Sequence, residues 1–135
     1  MPSPAGNPVE VCFLVGLDGE VLWADLDGTS GALQDSRARW EAIWRNRDRL
    51  VEVAHTHPSG LLAFSSEDCT TMGAVDAALG RRLRYSVVTG EAVLLRDEYE
   101  NTRVVPVAPW WAELIRLASG MGRSKRDKEE DNVDA

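Results

Sequence analysis

Residues 53–68 read VAHTHPSGLLAFSSED, and both histidines of the 135-residue chain lie within them. The run LVEVAH (residues 50–55) leads into this stretch and is rich in apolar and β-branched residues, which predicts a β-strand. Residues 58–60 (PSG) then break the strand and turn the chain. Ser65 or Ser66 is placed to cap the helix that follows. The stretch therefore predicts a strand, a turn and a helix.

Three side chains of this stretch are suited to bind a metal. Residues two apart on a strand point to the same face, so His55 and His57 project side by side and Thr56 points the other way. Asp68 falls in the first turn of the helix, where the helix dipole favours a carboxylate. If the helix packs back over the strand end, two imidazoles and one carboxylate converge. Three such ligands with one open position form a catalytic zinc site; the alternative is a polar strand end that binds nothing.

Upstream of this stretch the pattern predicts a hairpin and then a helix. The pair Asp18-Gly19 between two apolar runs predicts strands at about residues 9–17 and 20–26. Apolar residues at helical spacing, with arginines on the other face, predict a helix over SRARWEAIWRNRDRL (residues 36–50). Asp35 or Ser36 is placed to cap it. Its two tryptophans, Trp40 and Trp44, are predicted to pack in the core.

Downstream, strands and helices continue to alternate, which predicts a mixed α/β fold with one central sheet flanked by helices. The predicted strands are RYSVVTG, EAVLLRD and TRVVPV, and PWWAELIRLASG is predicted to be a helix because it begins with proline and ends with glycine. Residues 9–119 are expected to form one domain. Residues 1–8 are expected to be a flexible N-terminus, and residues 120–135 are charged, almost free of apolar residues and expected to be disordered.

Composition limits the classes of partner. The formal net charge is -7, which argues against a nucleic-acid binder and against docking on an anionic membrane. No run approaches the apolar length of a membrane span, and no signal peptide is visible, so a cytoplasmic location is expected. Two cysteines, Cys12 and Cys69, are too few for a disulfide framework, and Cys12 is expected to be a buried thiol. Oligomeric state has no signature in the sequence.

The stretch HTHPSGLLAFSSED (residues 55–68) fits the pattern H-x-H-P-x-G followed by S-x-x-D, with seven residues between the second histidine and the serine. It resembles the signature of the JAMM metalloproteases, the catalytically competent branch of the MPN domains. The resemblance implies an MPN/JAB fold, which is cytidine-deaminase-like, with Zn²⁺ bound by His55, His57 and Asp68. It also implies that Ser65 helps to stabilise the oxyanion.

The family also uses an upstream glutamate as its general acid/base, and four glutamates precede the motif. Glu52 is out of phase with the histidines on its strand, Glu41 lies on the arginine-rich helix, and Glu20 is beside the hairpin turn. Glu10 lies in NPVEVCFLVG, which resembles the family segment P-x-E-x-C-G-x-L-x-G, with Phe13 in place of its glycine. Glu10 is therefore the predicted acid/base.

The resemblance implies a zinc-dependent hydrolase in which a metal-activated water attacks a peptide or isopeptide bond. The implied substrate is the C-terminal tail of a ubiquitin-like or sulfur-carrier protein. Two departures from the family pattern bear on this expectation. Only nine residues precede Glu10, where family members carry a helix, so either the N-terminus is truncated or the domain is a minimal version. No insertion separates Gly60 from Ser65, and in this respect the chain resembles a compact prokaryotic-type member.

Two related alternatives stay open at the level of sequence. The RadC branch of the same superfamily carries H-N-H-P-S-G, which is close to residues 55–60, and its role is unknown. MPN domains that act as scaffolds form a second alternative, but they typically lack one or more of the ligands. Binuclear enzymes with an H-x-H motif need further histidines, and this chain has only two.

Overall fold

The computed structural model describes residues 7–29 and 36–121. Within these ranges the elements are β1 (Cys12–Gly16), β2 (Val21–Asp25), α1 (Arg37–Arg45), β3 (Leu50–Thr56), α2 (Ser66–Leu79), β4 (Arg84–Val88), β5 (Val93–Arg96), β6 (Thr102–Val104) and α3 (Trp111–Ser119). The strands form one sheet in the order β2-β1-β3-β4-β5-β6. β3 and β4 run parallel and every other neighbouring pair is antiparallel. The prediction of one mixed sheet flanked by helices is confirmed.

The sheet separates two apolar clusters, so the described part of the chain has three layers. On one face, α3 packs Trp111, Ala112 and Ile115 against the side chains of Val11, Phe13, Val15, Ala54, Val88 and Val93. On the other face, α1 and α2 pack against the alternate residues of the same strands, among them Cys12 and Leu14. This alternation follows from the two-residue period of a strand. Residues 52–56 of β3 can therefore be assigned to a face by parity, whereas Leu50 lies on the same face as Val53 because the register with β1 shifts between Val15 and Gly16.

The first helix is shorter than predicted, and its two tryptophans differ in burial. α1 spans only Arg37–Arg45, and Ser36 caps it through its hydroxyl oxygen, which accepts from the Arg39 amide at 3.2 Å. Its buried residues are Arg39, Ala42 and Ile43, which lie on one helical face. The prediction that Trp44 packs in the core is wrong: it is 55% exposed, because it lies next to Ile43 and points away from that face. Trp40 is partly buried against the α1/α2 cluster.

Helix α2 is anchored to the sheet at the end remote from its first turn. The Tyr85 hydroxyl on β4 donates to Asp76 Oδ1 at 2.6 Å, and the Leu83 amide donates to the same oxygen at 3.1 Å. Met72 and Val75 are buried in the cluster that α2 shares with the sheet. With its middle and C-terminal parts held in this way, α2 lies over the strands with its N-terminus near the end of β3.

None of the helices within the described ranges is long and apolar enough to cross a membrane. Residues 1–6 of the predicted flexible N-terminus and residues 122–135 of the predicted tail lie outside the described ranges. The proposed domain limits stay predictions.

Glu52 faces the α3 side of the sheet, away from the histidines, as its parity predicts. It is partly buried and accepts a hydrogen bond from the Ser86 hydroxyl on β4. Burial raises its pKa, and the Ser86 hydrogen bond opposes that rise only in part. A carboxyl whose pKa is higher in the folded protein favours folding at low pH, and this contribution is lost as the pH rises through the folded-state pKa.

Glu52→Gln should therefore stabilise the protein at neutral pH, because it removes a desolvated charge while keeping an acceptor for Ser86. The expected rise in Tm is a few degrees at pH 7 and vanishes near the ordinary pKa of 4.5. Thermal unfolding followed by circular dichroism at both pH values measures the difference. An equal or lower Tm for the variant at pH 7 would contradict the effect of burial.

Candidate metal centre

Glu10 reaches the site because the segment before β1 continues the alternation of side chains between the two faces of the sheet. Cys12 lies on the α1/α2 face and pairs with His55 of β3, so Glu10, two residues earlier, points to the same face. Its amide donates to the Thr29 carbonyl at 2.8 Å, and the neighbouring Val9 amide donates to the Ser119 carbonyl at 2.9 Å. The Glu10 side chain is buried. Glu10 is thus fixed beside the end of β3.

Thr56, on the opposite face from the histidines, ties that segment to β3. Its hydroxyl oxygen accepts from the Val11 amide at 2.9 Å, and its own amide donates to the Val11 carbonyl at 3.0 Å. Thr56 is fully buried. The sequence predicted only that Thr56 points away from the histidines. The available signal for its further role was a hydroxyl residue between the two histidines on a buried strand.

The two imidazoles meet at the end of β3. His55 Nε2 and His57 Nε2 are 3.0 Å apart, and the rings are close to perpendicular. Beyond the strand, the His57 amide donates to the Val88 carbonyl at 2.9 Å, which extends the pairing with β4 by one residue. The prediction that His55 and His57 project from the same face is therefore confirmed, and their Nε2 atoms point to the same position at the end of β3.

The turn after β3 fixes the tautomer of His57. Gly60 adopts a positive φ of 87°, and its amide donates to the His57 carbonyl at 3.0 Å. The turn brings the Leu61 carbonyl to 2.9 Å from His57 Nδ1. A carbonyl oxygen only accepts, so Nδ1 carries a proton and donates it. Nε2 is then left with its lone pair free for a metal.

The N-terminus of α2 supplies the third side chain. Ser65 is the N-cap, and its hydroxyl oxygen accepts from the Asp68 amide at 3.0 Å. Asp68 Oδ2 accepts from the Ser65 amide at 2.8 Å, which completes a capping box. The same Oδ2 lies 3.2 Å from His55 Nε2 and 3.4 Å from His57 Nε2. The cap of α2 and the metal centre therefore share one carboxylate.

Four side chains surround this point, and three of them lie close enough together to hold a metal ion. Glu10, His55 and His57 each offer one ligand atom, and these atoms lie within 4.8 Å of one another. Glu10 Oε1 is 3.9 Å from His57 Nε2, farther than Asp68 Oδ2 is from either imidazole. We therefore take His55, His57 and Asp68 as the inner set and Glu10 as the carboxylate beside it.

The electrostatics of the set call for a cation. Burial alone would raise the pKa of Asp68, but hydrogen bonds with His55 and His57 outweigh it and hold that pKa far below its usual range. The hydrogen bond with Asp68 raises the pKa of His57. Ionised Asp68 and the Nε2 lone pair of His57 are two acceptors 3.4 Å apart, and His55 Nε2 lies beside both of them. Either a proton or a metal ion must lie between them.

Glu10 has the properties of a proton acceptor. Burial raises its pKa, while the neighbouring His57 and His55 lower it in part. A carboxyl with a raised pKa holds an accepted proton better than an exposed one does, which suits general acid/base work near neutral pH. The other three upstream glutamates lie elsewhere: Glu41 pairs with Arg37 at 2.8 Å, Glu20 accepts from the Asp18 amide at the hairpin, and Glu52 faces the other side of the sheet.

An open cleft of about 810 Å³ leads to the centre. It is lined by Glu10, both histidines and the first turns of α2, and by Arg39 and Ile43 of α1. Leu61, an exposed apolar residue of the turn, lies at its edge. Every residue that the sequence predicted for the site, Glu10, His55, His57, Ser65 and Asp68, lines this one cleft.

A search against protein-family models finds no match to the chain, and a search of curated proteins finds none either. The functional inference therefore stands on the geometry of the cleft and on the motif.

Ser65→Ala should lower both stability and metal affinity, because it removes the cap that holds the first turn of α2. The expected loss of stability is about 1 kcal/mol, against a few tenths for Ser65→Gly, since glycine is itself an acceptable N-cap. Metal affinity should fall about tenfold or more for the alanine variant, as for other residues that orient a ligand. Urea unfolding and a chelator competition measure the two; equal losses in both variants would contradict the capping role.

Metal affinity should fall steeply at low pH, because a proton on His57 competes with the ion. The pKa of His57 is raised above its ordinary 6.5, so the decline should begin above that pH. Each displaced proton changes the affinity about tenfold per pH unit. Competition with a chromophoric chelator between about pH 5 and 8 measures the slope. An affinity that is flat over this range would exclude His57 as a ligand.

Proposed function

We propose that the chain is a zinc-dependent hydrolase of the JAMM type with an MPN/JAB fold. Its proposed reaction is hydrolysis of a peptide or isopeptide bond at the C-terminal tail of a ubiquitin-like or sulfur-carrier protein. One observation carries the proposal: His55 Nε2, His57 Nε2 and Asp68 Oδ2 lie 3.0, 3.2 and 3.4 Å from one another, with the carboxylate of Glu10 beside them.

The spacing of these atoms fits zinc. A tetrahedral zinc ion with ligand bonds of about 2.0–2.1 Å separates its ligand atoms by about 3.3 Å. The three separations lie within a few tenths of an ångström of that value. Two imidazoles also favour zinc over magnesium or calcium, which bind through oxygen. Three protein ligands leave the fourth position for water or substrate, as catalytic zinc sites require.

Zinc, when bound, supplies Lewis-acid chemistry that acidifies water and polarises a carbonyl. The protein's own residues then handle the protons. Glu10 accepts a proton from the attacking water at its carboxylate and returns it to the leaving amine. The hydrogen bonds of Thr56 to the segment before β1 hold Glu10 at this place. Throughout the reaction His57 keeps its proton on Nδ1, which donates a hydrogen bond to the Leu61 carbonyl.

Ser65 is suited to a second task besides capping. Its oxygen accepts from the Asp68 amide, which leaves its own proton free to donate. Ser65 also lines the cleft. A hydroxyl that donates to the oxyanion of a tetrahedral intermediate contributes to catalysis where charge develops. The Ser65→Gly variant separates the two tasks, because it keeps most of the cap and removes the hydroxyl.

The substrate class comes from the motif resemblance, and the cleft is compatible with it. A cleft that is open to solvent admits an extended tail while the folded body of a carrier protein stays outside. Glu10 and Leu61 both line the cleft. The scissile bond would lie beside Glu10, and the tail before it would lie along the apolar edge at Leu61.

Glu10→Gln should keep zinc and lose hydrolysis, because glutamine preserves the shape of the side chain without a basic oxygen. The expected loss is about 10²–10⁴-fold in the rate of cleavage. The substrate is a ubiquitin-like or sulfur-carrier protein whose Gly-Gly tail is fused to a reporter, and cleavage is followed by mass spectrometry. Elemental analysis of the same samples gives the zinc content.

Glu41→Gln is the matched control, since Glu41 lies on α1 and pairs with exposed Arg37. It should cleave at the wild-type rate. Full activity of Glu10→Gln would remove Glu10 as the base. A wild-type protein that binds zinc and cleaves no such fusion would favour a scaffold role or a RadC-like role over the proposed enzyme.

A further inference from the structure

Helix α3 is apolar on its solvent side as well as on its sheet side. Opposite Trp111 and Ile115, which pack on the sheet, Trp110, Leu114 and Leu117 are 63%, 41% and 60% exposed. Apart from Glu113 and Arg116, which pair on one flank, α3 is apolar towards the sheet and towards solvent, as is typical of a helix that is covered on more than one side. We call the exposed residues Trp110, Leu114, Leu117 and Ala118 the outer stripe.

The outer stripe is ordered in advance of any contact. Trp110 has helical backbone angles although it precedes α3, so it continues the helical spacing of Leu114 and Ala118. Its indole N–H donates to the Gly19 carbonyl at 2.9 Å, which fixes an exposed ring against the β1–β2 hairpin. An exposed tryptophan that is already held in one orientation loses little entropy on binding and is a frequent interface anchor.

The side chains of the outer stripe decrease in size along the helix, so the stripe is complementary to an antiparallel copy of itself. Trp110, Leu114 and Ala118 follow one another at four-residue spacing and form a single ridge of a large, a medium and a small side chain. An antiparallel copy of that ridge presents small, medium and large. We propose that two copies of the chain pack α3 against α3 about a two-fold axis near Leu114, with Trp110 of each copy over the partner's Ala118.

The area of the stripe suits a dimer of ordinary size. Its exposed fractions correspond to on the order of 400 Å² of apolar surface, which is in the range of the largest patch on a typical monomer, and such patches are often functional. A stable interface buries about 800 Å² per partner, and roughly three fifths of that is apolar. The stripe therefore supplies most of the apolar centre that such a dimer needs.

Each copy of the chain carries a formal net charge of -7, but the outer stripe contains no ionisable residue. The nearest ionisable residues on α3, Glu113 and Arg116, pair with each other at 2.5 Å. Residues 122–135 (GRSKRDKEEDNVDA) follow α3 but hold one large apolar residue, Val133, so their composition does not suit them to cover the stripe. A second stripe of the same kind is the chemically matched cover.

The dimer leaves both clefts accessible. α3 lies on the sheet face opposite α1, α2 and the metal centre. Each copy therefore keeps an open cleft, and association is not expected to change hydrolysis by either site.

Sedimentation velocity over a concentration series tests the association. The wild-type protein should be dimeric at tens of micromolar, and Leu117→Glu should weaken the dimer about 100-fold, because each dimer carries the buried charge twice. Leu26→Glu is the matched control: Leu26 is 57% exposed, at the end of β2, and its substitution should leave the dimer unchanged. A monomeric wild type, or a Leu117→Glu protein that stays dimeric, would overturn the proposal.

Cross-linking tests the axis. In a Cys69→Ser background, which removes the exposed thiol, Leu114→Cys should form a disulfide-linked dimer under mild oxidation, since residues on a two-fold axis meet their own copies. Leu26→Cys in the same background should stay largely unlinked. A dimer in solution whose Leu114→Cys variant does not cross-link faster than Leu26→Cys would refute the antiparallel arrangement.

Discussion

The pairing of β1 with β3 is the constraint on which the rest of the site depends. It places Cys12 opposite His55, and parity then carries Glu10 to the same face of the sheet. Thr56 extends this pairing beyond the first residue of β1, because its hydroxyl and its amide both form hydrogen bonds with Val11. A shift of one residue between these strands would send Glu10 to the α3 side, because side chains alternate along a strand. The carboxylate and the imidazoles would then lie on different faces.

The second requirement is the start of α2, where structural and chemical roles coincide. The Asp68 carboxylate accepts from the Ser65 amide and also lies against both imidazoles. Such sharing keeps the ligand rigid, because a capping box fixes the side chain even when no ion is bound. It also links helix stability to the candidate metal centre, since a change in the cap would move the Asp68 carboxylate.

The single mixed sheet, a helix cap at Ser65 or Ser66 and the shared face of His55 and His57 were predictable from the sequence, because each depends on a local rule of spacing or capping; the structure selects Ser65 as the cap. The choice of Glu10 among four glutamates also followed from strand phase and motif resemblance, and the structure brings it to the cleft. The misplacement of Trp44 has a physical cause. A helical period shows which residues share a face but does not fix which face meets the sheet, and α1 buries Arg39, Ala42 and Ile43 while Trp44 points outward. Thr56 was missed because its role needs the partner strand.

The side chains around the end of β3 bring polar atoms together at one point. His57 keeps its Nδ1 proton for the Leu61 carbonyl, so its Nε2 faces His55 and Asp68 as an acceptor unless it takes up a second proton. The strands and the capping box hold these atoms together. A divalent cation bound at this point would satisfy them without adding a proton. An ion that binds the folded chain alone would also stabilise it, because binding then favours the folded state by mass action.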